Sequence, residues 1–150
     1  MHLCLCVLVF ILAHHGLFAT RAIAAQEVVT EFKGELIGAA EAQQRVAHYN
    51  DTGFSGCLLQ VGNDPLYLDA LLKGYPTRFV NHSCGPNAYL HTAGKGAAQS
   101  KRIWVCSMKE IGAGEDLCIT YPWPFTISPT AADTKCTCGA PGCQEDISAQ

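Results

Sequence analysis

The chain has 150 residues, 49% of them hydrophobic and 15% charged, enough for one packed domain and too apolar for a disordered one. Its 10 basic and 13 acidic residues leave a net charge of −3, which argues against a nucleic-acid-binding surface and suits a basic partner. Nine cysteines, an odd number, exclude a framework in which every thiol is paired within the chain, so metal binding or unpaired thiols must be considered.

Leu3 to Ala13 is an unbroken run of eleven apolar residues. A membrane-spanning helix needs about 20, so no membrane association is expected. Ala22-Ile-Ala24 has the spacing of a cleavage site, but no Lys or Arg precedes the apolar run. A buried strand or helix is therefore expected over a secretory signal. From Gly16 onward the pattern is of short strands between turns. Glu27 to Lys33 alternates β-branched and aromatic residues and breaks at Gly34. Ala39 to Tyr49 is rich in Ala and Gln and predicts the best helix of the chain. Leu58 to Val61 and Leu66 to Leu68 predict strands on either side of the turn Gly62-Asn-Asp-Pro65. Ala70 to Lys73 predicts one helical turn ending at Gly74. A flexible loop is expected over Thr92 to Ser100, then strands over Arg102 to Ser107 and Leu117 to Tyr121, with a turn at Gly112-Ala-Gly114. Four prolines between Pro122 and Pro141 preclude long regular structure there. The fold class is mainly β with short helices.

The tail, Cys136-Thr-Cys138-Gly-Ala-Pro-Gly-Cys143, places three thiols within eight residues. Its Gly and Pro residues permit the tight turns that bring three sulfurs to one point. Zinc prefers four ligands, so a fourth must come from elsewhere: Cys4, Cys6, Cys57, Cys84, Cys106, Cys118 or one of six histidines. Cys57, Cys106 and Cys118 sit in apolar stretches that suit the core. Cys84 lies in a polar, turn-like segment where a ligand is accessible. Disulfides among the tail cysteines are the competing reading.

Arg78-Phe-Val-Asn-His-Ser-Cys-Gly-Pro-Asn87 is the densest polar cluster in this apolar chain. With this string the sequence resembles the SET-domain protein lysine methyltransferases, and the resemblance runs through most of the chain in order. Gly16-Leu-Phe-Ala19 resembles the end of the family's G-x-G motif, with His14 in the place of its first glycine. Glu31-Phe-Lys-Gly-Glu-Leu-Ile37 resembles Y-x-G-E-x-I, and Tyr67-Leu-Asp-Ala70 resembles Y-x-x-D-A. Gly114-Glu-Asp-Leu-Cys-Ile-Thr-Tyr121 resembles G-E-E-L-x-x-D-Y, with Thr120 in place of Asp. The tail resembles the post-SET zinc element.

The resemblance implies small curved sheets, a pseudoknot-like C-terminal segment and a zinc-bound post-SET tail. It divides the chain into an apolar N-terminal segment (1–13), a SET domain (14–125) and the tail (126–150). It implies S-adenosyl-L-methionine as methyl donor and one structural zinc held by Cys84, Cys136, Cys138 and Cys143. Tyr121 would be the catalytic residue, and Gly16, Asn81, His82, Trp123 and Phe125 would bind the cofactor. Tyr67, Ile119 and Tyr121 would line the substrate channel. The implied partner is a lysine-containing protein, a basic histone tail by family, met by a monomer in the nucleus or at chromatin, with the cytoplasm as the other compartment. No nucleic acid is expected to bind directly. His14 and Thr120 favour an alternative, a catalytically silent SET-like module that keeps fold and zinc. A third reading, a small secreted cysteine-rich protein, rests on the apolar start and the thiol count.

Overall fold

Short strands of two to five residues run through the chain, some pairing with the next strand and others with one far away in sequence. The structure, a computed structural model, describes residues 7–11, 14–52, 58–61, 65–92, 102–121 and 135–144. Strand β1 (Val7–Ile11) pairs antiparallel with β2 (His14–Phe18), Val9 lying opposite Gly16. The described part of the apolar N-terminal run is thus a strand, and it flanks the strand that carries Gly16.

A three-stranded antiparallel sheet orders β3 (Val28–Phe32), β9 (Ile103–Ser107) and β8 (Ala88–Thr92). Val29, Phe32, Ile103 and Val105 bury their side chains in the core. Ile103 and Val105 keep the two-residue alternation of a strand, whereas the three-residue spacing of Val29 and Phe32 follows the register shift between Val28 and Thr30. A second sheet orders β4 (Glu35–Gly38), β6 (Leu66–Asp69) and β5 (Leu58–Gln60), also antiparallel. Helix α1 (Ala39–Thr52) follows β4 and buries Ala42, Val46 and Tyr49, spaced as one helical face, against Ile37 and Leu58. The remaining pair, β7 (Asn81–His82) and β10 (Cys118–Ile119), is parallel and only two residues wide. None of these described sheets closes on itself.

The larger core cluster joins Leu17, Ile23, Val29, Phe32, Val105, Ile111, Leu117 and Ile119 across the first sheet and the β7/β10 pair. Residues 17 to 23 run beside 111 to 117. The Leu117 N–H donates to the Leu17 carbonyl at 2.7 Å, and the Ile23 and Ile111 amides exchange bonds at 2.9 and 3.0 Å. This pairing delivers the end of β2 and the start of β10 to the same place as β7.

Two expectations need correction. Ala70 to Lys73 is a bend instead of a helical turn. The Asp69 carboxylate accepts the Leu71 N–H at 3.0 Å, a local bond that competes with helix formation. The helical turn comes later, as a 3-10 helix over Pro76–Phe79, where proline supplies a preset φ and has no amide to satisfy. The strand expected over Leu117 to Tyr121 shortens to Cys118–Ile119, because the Leu117 and Tyr121 amides bond elsewhere, the latter to a side chain. The turn at 62–64, the loop at 93–100, Cys4, Cys6 and Cys57 lie outside the described residues.

Candidate active site and metal centre

The β7/β10 crossing gathers the polar cluster onto the segment ending at Tyr121. Asn87 does most of the joining, and it is 5% exposed. Its Oδ1 accepts the Cys118 N–H at 2.8 Å, and its Nδ2 donates to the Asp116 carbonyl at 2.8 Å and to Glu115 Oε1 at 3.1 Å. Its own amide donates to the Cys118 carbonyl at 3.2 Å. Glu115 also accepts the Gly112 N–H. That bond, followed by the one from Asn87, holds its carboxyl below the ordinary range. The Ser83 amide donates to the Ile119 carbonyl at 2.9 Å, locking the next step of the ladder.

His82 and Tyr121 meet at the end of this ladder. The Tyr121 amide donates to His82 Nδ1 at 3.0 Å, and the Tyr121 hydroxyl donates to the Val80 carbonyl at 2.8 Å. The two rings stand edge to face, centroids 5.4 Å apart, a favoured aromatic geometry. Burial lowers the pKa of His82 and favours the neutral imidazole. The hydroxyl proton of Tyr121 is committed to a backbone carbonyl, which leaves the oxygen lone pairs as acceptors.

Gly16 of β2 lies close to Asn81 of β7. A Cβ added at Gly16 would lie 2.8 Å from Phe18 Cε2 and 3.2 Å from Asn81 Nδ2, so glycine is needed for close approach. Asn81 Nδ2 donates to Asp116 Oδ2 at 3.3 Å, while Asp116 Oδ1 is buried without a hydrogen-bond partner among the described residues.

The four cysteines named from the sequence converge. Cys84, Cys136, Cys138 and Cys143 place their sulfurs within 4.8 Å of one another, with Cys84 Sγ and Cys136 Sγ 3.7 Å apart. Gly139 and Gly142, at φ 68° and 79°, make the left-handed turns that fold three thiols onto one point. The tail rests on the central motif at Gly85, where an added Cβ would sit 3.2 Å from Ala140 Cβ. Backbone N–H groups, first that of Cys84 and then that of Ala140, pull the Cys138 thiol down to about 6. Burial pushes Cys136 up to about 12. Thiolates on a tetrahedral zinc stand about 3.8 Å apart, so this donor set and spacing fit a structural zinc. Cys118 is pushed up to about 12 by burial and then by Asp116, which keeps it a thiol outside the cluster. Cys106 is buried.

Tyr67 packs into the helix-side cluster with Ile37 and Tyr49, whereas Tyr121 packs against the larger one. Ile119 is 2% exposed inside that larger cluster. Trp123, Phe125 and the side chain of His14 lie outside the described residues. Sequence reasoning assigned no role to Asn87 or Asp116. Asn87 stood in the polar cluster, but the segment it holds is 28 to 31 positions away.

The SET domain family model matches residues 14–122, and the chain belongs to that family. Over 132 residues it is 35% identical to the histone-lysine N-methyltransferase trithorax of Drosophila virilis, covering 87% of this chain and 3% of that protein. It is 35% identical over 133 residues to the H3 lysine-4 specific histone-lysine N-methyltransferase of Candida albicans, covering 86% of this chain and 12% of that one. To histone-lysine N-methyltransferase 2B of Homo sapiens it is 34% identical over 132 residues, covering 86% and 5%. The chain therefore spans a small fraction of the length of these relatives. No helix among the described residues is long and apolar enough to cross a membrane.

Proposed function

We propose that the chain transfers a methyl group from S-adenosyl-L-methionine to a lysine side chain of a protein, with a basic histone tail as substrate. The observation that carries this reading is the convergence of Gly16, Asn81, His82 and Tyr121 at the β7/β10 crossing, beside the four cysteines. The cofactor supplies a methyl group already activated on a sulfonium, so the protein's task is positioning. Gly16 lets the Phe18 and Asn81 side chains pack closely against the backbone there, and the unpartnered Asp116 oxygen suits a positively charged group. Asn81 offers donor and acceptor groups beside both.

A lysine amine must be neutral to attack, since its lone pair forms the new carbon–nitrogen bond as the carbon–sulfur bond breaks. An apolar channel beside a positive sulfonium lowers the amine pKa from about 10.4. Tyr121, its hydroxyl proton held by Val80, accepts an N–H of the amine and aims the lone pair. Ile119 and Tyr67 are proposed along the channel, and Trp123 and Phe125 against the cofactor. Cys84, Cys136, Cys138 and Cys143 hold one zinc, which fixes the tail against the central motif. The SET domain is proposed over 14–125, the tail over 126–150 and the apolar segment over 1–13. Similarity to histone-lysine enzymes supports a place at chromatin.

Radiolabelled cofactor and core histones test this directly. The zinc-loaded chain is expected to label histones, and Tyr121→Phe to lower the rate about 100-fold, the scale of a misplaced reacting group. No label on histones or on any lysine-rich protein overturns the proposal. If the zinc-loaded chain also shows no calorimetric binding of the cofactor, the silent module favoured by His14 and Thr120 is the correct reading.

A further inference from the structure

We infer that His82 is a positioning residue that ties the backbone of Tyr121 to the sulfur of Cys84, making the metal cluster part of the support of the tyrosine. The inference rests on the reading of Tyr121 given above, but its geometry stands independently. A backbone N–H can only donate, so the 3.0 Å bond from the Tyr121 amide requires a lone pair on His82 Nδ1. In a neutral imidazole the proton then sits on Nε2. His82 Nε2 lies 3.6 Å from Cys84 Sγ, where it donates to the sulfur, and a metal-held Cys84 is a thiolate, the stronger acceptor.

Both ring nitrogens are therefore engaged within the protein. The ring has no free polar atom with which to bind the cofactor, and any cofactor contact at this position falls to its backbone. Tyr121 is held at three points: its amide by His82, its hydroxyl by Val80 and its ring edge-to-face against the imidazole. Two of these run through His82. The side chain is half-buried between β7 and β10, so its orientation is set by the same parallel pair that positions Tyr121. Outer partners of metal ligands commonly orient the ligand. Here the relation also runs outward, from ligand through imidazole to the tyrosine.

Three measurements on the full zinc-loaded chain test the inference. Two-bond proton–nitrogen NMR correlations should show His82 as the tautomer protonated on Nε2; the Nδ1-protonated form overturns it. With cobalt(II) in place of zinc, His82→Asn should shift the thiolate-to-cobalt charge-transfer band, because asparagine is too short to reach Cys84. An unmoved band overturns the link to sulfur. In kinetics, His82→Leu should lower kcat about 100-fold with cofactor KM nearly unchanged, and His82→Asn, whose Oδ1 can replace Nδ1, should recover at least about tenfold. A cofactor KM that rises in step with the loss, or no recovery by asparagine, overturns the positioning role. Should His82→Leu not fold, the tautomer and the His82→Asn spectrum decide. A wild-type chain that transfers no methyl group, yet has the expected tautomer and band shift, overturns the proposed activity and supports the link.

Discussion

Truncating Asn87 to alanine would remove one buried side chain and leave the Cys118 amide, the Asp116 carbonyl and the Glu115 carboxylate without their partner. Buried groups stripped of a hydrogen bond cost about 1–3 kcal/mol each, and water can rescue the exposed one, so Asn87→Ala should lose about 3 kcal/mol in urea unfolding. A loss under about 1 kcal/mol would mean that the core contacts of Leu117 and Ile119 hold the crossing unaided. Asn87 also marks what was legible at this scale. A crowd of polar residues in an apolar chain announces a site from sequence alone, as the Asn81–Asn87 segment did. Which of them binds and which braces depends on partners about 30 positions away, and no local pattern encodes that.

Helix α1 is anchored by a polar contact as well as by its apolar face. Asp69, 1% exposed on β6, accepts bonds from Arg45 Nη1 and the Tyr49 hydroxyl, both at 2.7 Å. Arg45 also pairs with Glu35 and Glu41, so it is drawn toward three carboxylates. Arg45→Ala leaves Asp69 buried without its countercharge and should cost about 3 kcal/mol, whereas Tyr49→Phe should cost about 1 kcal/mol. The Tyr49 hydroxyl, pushed up to about 12 by burial and then by its bond to Asp69, adds a pH signature. A group whose folded pKa is raised stabilises fully below its unfolded value of about 10. That contribution is lost as pH climbs toward 12. Stability should therefore fall between these values in the wild type and fall less in Tyr49→Phe, read as the urea midpoint against pH. Of this element, the helix itself was legible from its Ala and Gln content. The bend after β6 was not, because the sequence does not say that Asp69 spends one oxygen on the Leu71 amide. Likewise, two residues of parallel strand at β7 and β10 carry too little periodicity to be read.

For the molecule as a whole, the cysteine count now divides by location. Among the described residues four converge on one point, while Cys106 and Cys118 stay apart from it. Turn chemistry made the three tail thiols legible, since sulfurs close in sequence need only glycine turns to meet, and among the open candidates for the fourth ligand the family resemblance pointed to Cys84. The chain purified with zinc should contain one equivalent, and a strong chelator should lower its melting temperature and expose four further thiols to titration. Thiols that stay unreactive after chelation would indicate disulfides and return the secreted, cysteine-rich reading.

Loop closure adds a term to that experiment. Cys84 and Cys136 lie 52 positions apart, and β8, β9 and β10 all fall between them. A cation bridging these sulfurs closes that stretch into a ring, and the closure acts on the unfolded chain as much as on the folded one. By chain entropy alone, a cross-link of this span removes about 4 kcal/mol of conformational freedom from the unfolded ensemble, so long as the metal stays bound there. Tail and central motif would then be the two ends of a single staple, and a cut between residues 92 and 102 would leave both fragments joined while the metal remains.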